Sequence, residues 1–216
     1  MSSWNILLVD ASASMSSNVD SVNKGIVDLF IEQRENKDRF TFLTFNTSVQ
    51  CVIDKDFNEI NCEHVINCIV NQGLTALYDA VGHVYEMILN GCPDNVTVVV
   101  ITDGNENSSK THTLASLKTL RETIDKMCNI NVTFIGENEN VLDNNSAIIS
   151  HANESCEVSG DYVRAFRMVS GTMSGIRRPS VSTNYVSEEN NGSVSEPIVK
   201  RQKTYDSKKK NTHLFS

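Results

Sequence analysis

The chain predicts an α/β sandwich: a mostly parallel central sheet with helices on both faces and one antiparallel edge strand. Three observations carry this. Two unbroken apolar runs, Ile6–Val9 and Val98–Ile101, have the length of strands buried on both faces. Between and after them, apolar residues recur at steps of three and four, as in Leu77, Val81, Val84 and Ile88, the mark of helices that bury one face. Strand and helix patterns alternate along most of the chain, and that order builds parallel sheets.

The elements follow in order. Residues 5–10 form the first strand. Val19, Val22, Ile26, Leu29 and Phe30 place an amphipathic helix over 17–35, which Asn36-Lys37-Asp38 ends. Residues 39–46, Arg-Phe-Thr-Phe-Leu-Thr-Phe-Asn, alternate in β-branched and aromatic side chains and read as a strand. The short polar turn Asn46-Thr47-Ser48 leads back into a strand over 49–53, and so tight a connection predicts a hairpin. A helix is expected over 58–71 and another over 75–90, the second stopped by Gly91-Cys92-Pro93-Asp94. Residues 96–101 form the most apolar strand. A helix over 113–128 turns Leu114, Leu117, Leu120, Ile124 and Met127 to the sheet. A strand at 130–135, a short helix at 141–153, a short strand at 156–158 and a last helix at 161–177 complete the body.

The 216 residues carry a net charge of −8 and are 39% hydrophobic. That suits one domain, 1–178, followed by a polar tail, 179–216, rich in Ser, Asn, Glu and Lys and expected to be disordered. The tail holds six basic and four acidic residues, which leaves the body at −10. So acidic a body argues against nucleic acid as its main partner. The Lys200–Lys210 segment keeps open a nuclear-import or nucleic-acid role for the tail. No stretch approaches the ~20 apolar residues of a membrane helix, and the start lacks the pattern of a signal peptide. The expectation is an intracellular protein, cytoplasmic or nuclear, whose six cysteines are free thiols. Cys62 and Cys68 lack the spacing of a zinc knuckle.

Chemistry concentrates where apolar strands end. The first strand ends in Asp10-Ala11-Ser12-Ala13-Ser14, a carboxylate and two hydroxyls at alternate positions, and alternate residues of an extended segment face one way. The strand at 96–101 runs into Thr102-Asp103-Gly104. Between them, Gly73-Leu74-Thr75 puts a hydroxyl in a loop that opens a helix. Oxygen donors of this kind suit a hard divalent cation, and open α/β sheets take ligands at the carboxyl ends of their strands. Taken singly, each residue has a plainer role: Asp10, Ser12, Ser14 and Thr75 as helix caps, Asp103-Gly104 as a turn. Asp79 reads as a first-turn acid favoured by the helix dipole, and Glu106 as a solvated loop acid.

In order, the three segments resemble the von Willebrand factor type A (vWA) domain and its metal-ion-dependent adhesion site, over residues 4–178. The family pattern is Asp-x-Ser-x-Ser, then Thr, then Asp, on three loops at one end of a Rossmann-like sheet. The resemblance implies that Asp10, Ser12, Ser14, Thr75 and Asp103 surround Mg²⁺ or Mn²⁺. It also implies that an Asp or Glu of a partner protein completes the coordination, so that the chain binds proteins rather than catalyses. Two positions depart from the pattern. Ala13 stands where Gly is usual between the serines, which would cost about 1 kcal/mol if φ there were positive. Leu74 fills the place of a second glycine before the Thr. Two alternatives stay open: a Mg²⁺-dependent phosphoryl-transfer enzyme with Asp10 at a strand end, and a nuclear or nucleic-acid accessory working through its tail. Against the first, Ser12 stands where such enzymes of the haloacid dehalogenase type need a second Asp, and no phosphate-binding glycine loop is present.

Overall fold

The computed structural model describes residues 3–60 and 72–173. Six strands form one sheet in the order β3-β2-β1-β4-β5-β6. They are β1 (Ser3–Asp10), β2 (Arg39–Phe45), β3 (Val49–Asp56), β4 (Asn95–Thr102), β5 (Asn129–Gly136) and β6 (Glu154–Glu157). Every neighbouring pair is parallel except β2 with β3, the antiparallel hairpin at one edge. The sheet is the one the sequence predicts, with β3 three residues longer than its pattern suggests.

β1 sits in the middle, flanked by β2 and β4, and is buried on both faces. Alternation along it sorts the two cores. Leu7 and Val9 pack with α1 (Val19–Gln33) and α6 (Tyr162–Met173) on one face. Ile6 and Leu8 pack with α2 (Leu77–Gly91) and α3 (Leu114–Met127) on the other. α1 and α6 touch closely because Gly25 has no side chain: a Cβ there would strike the Phe166 ring.

Several elements differ from the sequence reading. The first helix is preceded by a separate 3-10 turn, Ala13–Ser17, and α1 begins only at Val19. The helix expected over 141–153 is two short pieces, α4 (Glu139–Asn144) and α5 (Ser146–Ile149), parted by Asn145. Asn145 is buried and its amide Nδ2 donates to the Val141 carbonyl at 2.9 Å and the Gly104 carbonyl at 3.0 Å. Of the helix expected over 58–71, residues Phe57–Glu59 form a 3-10 turn and 61–71 lie outside the described residues. The tail at 179–216, Cys62, Cys68 and the end of the last predicted helix also lie outside them. Among the described residues no helix is long and apolar enough to cross a membrane. Cys51, Cys92, Cys128 and Cys156 are free thiols.

Candidate cation-binding site

The strand order reverses between β1 and β4, since the chain leaves β1 toward β2 on one side and later fills the other. Such a reversal opens a crevice at the carboxyl ends of the two strands. Three loops meet there.

The first loop leaves β1 at Asp10, which is fully buried. Its Oδ1 accepts the Ser12 backbone N–H at 2.7 Å, and its Oδ2 accepts the Thr102 hydroxyl at 2.6 Å. Burial raises its pKa above 3.8 even against the hydrogen bonds from Thr102 and Ser12. Ser12 occupies the cap position of the 3-10 turn, yet its side chain makes no cap bond. Its Oγ lies 3.0 Å from Ser14 Oγ instead. Ser14 in turn donates to Asp103 Oδ1 at 2.6 Å, which joins the first loop to the third. Ala13 is not among the residues with positive φ, so its methyl group brings no backbone strain.

The second loop is pinned by main-chain bonds. Gly73, at φ 79°, offers its carbonyl to the Ala13 N–H at 3.2 Å, and Ala76 N–H donates to the Asn46 carbonyl at 2.8 Å. Asn107 holds Thr75 from both sides: its Oδ1 accepts the Thr75 N–H at 2.9 Å and its N–H donates to the Thr75 carbonyl at 3.0 Å. The helix cap is Ala76, not Thr75, and α2 starts at Leu77. Thr75 is 2% exposed, and its hydroxyl makes no hydrogen bond among the described residues.

The third loop closes the space. A Cβ built on Gly104 would lie 2.8 Å from Thr75 Oγ1 and 3.6 Å from both Asp10 Oδ2 and Ser14 Oγ. Oxygens from the first two loops therefore converge on the third, across a gap that only glycine leaves clear. Asp103 is half-buried, and its pKa is pushed up to about 6. Burial is the main cause, opposed by the Ser14 hydrogen bond and reinforced by the charges of Asp10 and Glu137. Asn18 Nδ2 stands 3.4 Å from Asp103 Oδ2 and 3.4 Å from Glu137 Oε1, a neutral donor between two acids.

All five residues singled out in the sequence thus lie together. Four partners carried no comparable local signal: Thr102, Asn18, Asn107 and Asn145. Only Thr102 stood beside a residue already chosen. Glu106 is half-exposed, and it does more than the solvated loop acid of the sequence reading. Its carboxylate accepts the N–H groups of Tyr78, Ser108 and Ser109 at 2.8–2.9 Å and the Ser109 hydroxyl at 2.7 Å. Asp79 does sit in the first turn of α2, but its carboxylate serves the third loop. It accepts the N–H groups of Lys110, Thr111 and His112 at 2.7–2.9 Å. Glu106 and Asp79 thereby staple the third loop to the start of α2 in both directions.

Among the described residues no group of three or more His, Cys, Asp or Glu side chains is placed to hold a metal ion. The donor set at the three loops is of another kind, three hydroxyls with two carboxylates. Neutral and anionic oxygens suit Mg²⁺ or Mn²⁺, not the softer metals that His and Cys attract.

The fold and these loops define a class, and the comparisons agree with it. The sequence profile of the von Willebrand factor type A domain matches residues 6–166, so the chain belongs to that family. Comparison with curated proteins gives no match. Similar solved structures include a von Willebrand factor type A protein from Catenulispora acidiphila, at 13% identity and TM-score 0.59. It is matched over 80% of this chain and 43% of that one. The PilB minor pilin of Streptococcus sanguinis shares 12% identity at TM-score 0.62, over 80% of this chain and 61% of that one. The vWF domain of the type V pili tip protein Mfa5 from Porphyromonas gingivalis shares 9% identity at TM-score 0.62, over 83% and 98%. The match thus spans less than two thirds of the first two proteins' length, and identities this low speak for the fold alone.

Proposed function

We propose that this chain is a protein-binding module that depends on a divalent cation, Mg²⁺ or Mn²⁺. Ser12, Ser14 and Thr75 would hold the ion, with Asp10 and Asp103 beside it, and an Asp or Glu of the partner protein would complete its coordination. The observation that carries the reading is the Thr75 hydroxyl. Thr75 is only 2% exposed as a residue, its hydroxyl makes no hydrogen bond among the described residues, and it converges with Asp10 and Ser14 on the space beside Gly104.

Neutral hydroxyls and few charges leave a bound cation short of negative charge, and the cation then supplies a positive centre for an incoming carboxylate. The chain's own residues do the positioning. Thr102 and the Ser12 N–H fix both oxygens of Asp10, so Asp10 anchors the first loop. Ser14 ties that loop to Asp103. Asn107 holds Thr75 in register. The same geometry speaks against phosphoryl transfer, because a fully buried Asp10 with both oxygens hydrogen-bonded is badly placed to attack phosphorus. The body's charge of −10 favours a protein over a nucleic acid as partner.

Calorimetric titration of the full chain with MgCl₂ and with MnCl₂ tests this, repeated on Ser12→Ala and Thr75→Ala. The reading expects saturable binding that falls at least tenfold in both variants, and partner capture that is lost in chelator. Absence of saturable binding, or binding indifferent to both substitutions, would overturn it.

A further inference from the structure

The opposite end of the sheet, where β4 and β5 begin, holds a feature that the candidate cation site does not use. α2 and α3 lie side by side on one face and feed the neighbouring parallel strands β4 and β5, whose first residues Asn95 and Asn129 are register partners. Each helix ends in a cysteine. Cys92 follows α2 in the left-handed conformation, at φ 44° and ψ 50°, a geometry that most residues avoid. Cys128 follows α3 directly. The Asn129 N–H donates to the Asp94 carbonyl at 3.0 Å, which draws the two helix ends together. Both cysteines line one small cavity of about 30 Å³, together with Ile88, Pro93, Ile124 and Met127.

We propose that Cys92 and Cys128 are a redox-modification site that closes to an intramolecular disulfide across the ends of α2 and α3. The Asn129–Asp94 hydrogen bond joins the segments that follow the two helices, and both cysteines line the same cavity. A disulfide needs Cα atoms about 4.4–6.8 Å apart, within the reach of neighbouring parallel strands and the turns that enter them. Burial raises the Cys128 thiol, Asp125 adds to this and Arg121 opposes it, and nearby Cys92 contributes least. Cys92 is exposed and Cys128 only half-exposed, so Cys92 is the thiol that meets an oxidant first.

With glutathione disulfide as oxidant the steps balance. The Cys92 thiol gives up its proton, and its sulfur attacks one glutathione sulfur, breaking the glutathione S–S bond and releasing one glutathione thiolate. Deprotonated Cys128 then attacks the Cys92 sulfur of the mixed disulfide and expels the second thiolate. Two cysteine thiols are oxidised, and one glutathione disulfide is reduced to two glutathiones. The bond would join positions 92 and 128 and restrict the unfolded chain.

The test treats the wild-type full chain with glutathione disulfide and maps its peptides without reduction. The proposal expects a linked Cys92–Cys128 peptide pair and a melting temperature higher by about 5 °C, reversed by dithiothreitol. In Cys128→Ser, Cys92 should instead accumulate as the mixed disulfide. The proposal fails if wild-type Cys92 stops at the mixed disulfide, if both thiols stay reduced, or if either pairs with Cys51, Cys62, Cys68 or Cys156. The result is independent of the cation site, whose Mg²⁺ affinity the bond should leave unchanged.

Discussion

Replacing Asp103 by Asn should make the cation-free protein more stable. In the folded chain Asp103 is held half-buried near Asp10 and Glu137, and its pKa stands at about 6 against 3.8. That difference is about a hundredfold in proton affinity, or ~3 kcal/mol at face value. Solvent reaches this carboxylate, so the usable figure is nearer 1 kcal/mol. The sign follows from linkage. Between pH 4 and 6 the folded state keeps a proton that the unfolded chain has released, so stability rises as pH falls through that window. Above pH 6 the charged carboxylate destabilises the fold in full. Urea unfolding in chelator at pH 7 should therefore find Asp103→Asn more stable than wild type by about 1 kcal/mol. At pH 5 the gap should narrow, because the wild type has taken up most of its proton. Saturating Mg²⁺ should reverse the order, stabilising the wild type and leaving the variant almost unmoved. A variant less stable than wild type in chelator at pH 7, or a gap that widens at pH 5, would show that the Asp103 charge does not burden the fold.

Two other substitutions probe the loops. Gly104→Ala puts a methyl group 2.8 Å from Thr75 Oγ1, and calorimetry should show Mg²⁺ affinity reduced at least tenfold while circular dichroism stays native. Glu106→Ala leaves the N–H groups of Tyr78, Ser108 and Ser109 without their acceptor, and should cost about 2 kcal/mol in urea unfolding.

Most of the sheet was legible because burial writes itself into composition. β1 and β4 lie inside the sheet and read as unbroken apolar runs, whereas the edge hairpin β2–β3 showed in its aromatic alternation and short turn. The three loops of the candidate site were legible for a related reason, since each begins where such a run ends or a helix opens. What escaped were groups whose role depends on distant partners. Glu106 resembled any acid in a polar loop, and its acceptors' donors arrive from Tyr78 in another element as well as from its own turn. Asn145 interrupts a helical pattern in order to reach Gly104, 41 positions away in sequence. Ala13 posed the reverse problem: its departure from the family's glycine suggested strain, and the backbone there needs none.

On the proposed reading, three loops share one ion at the carboxyl ends of β1 and β4. Anomalous diffraction from crystals of the full chain grown with MnCl₂ would locate that ion. A single strong peak is expected within direct coordination distance of the Ser12, Ser14 and Thr75 hydroxyls, and it should disappear when Mg²⁺ replaces Mn²⁺ in excess. A peak elsewhere, or a site between these loops that stays empty at saturating Mn²⁺, would contradict that reading.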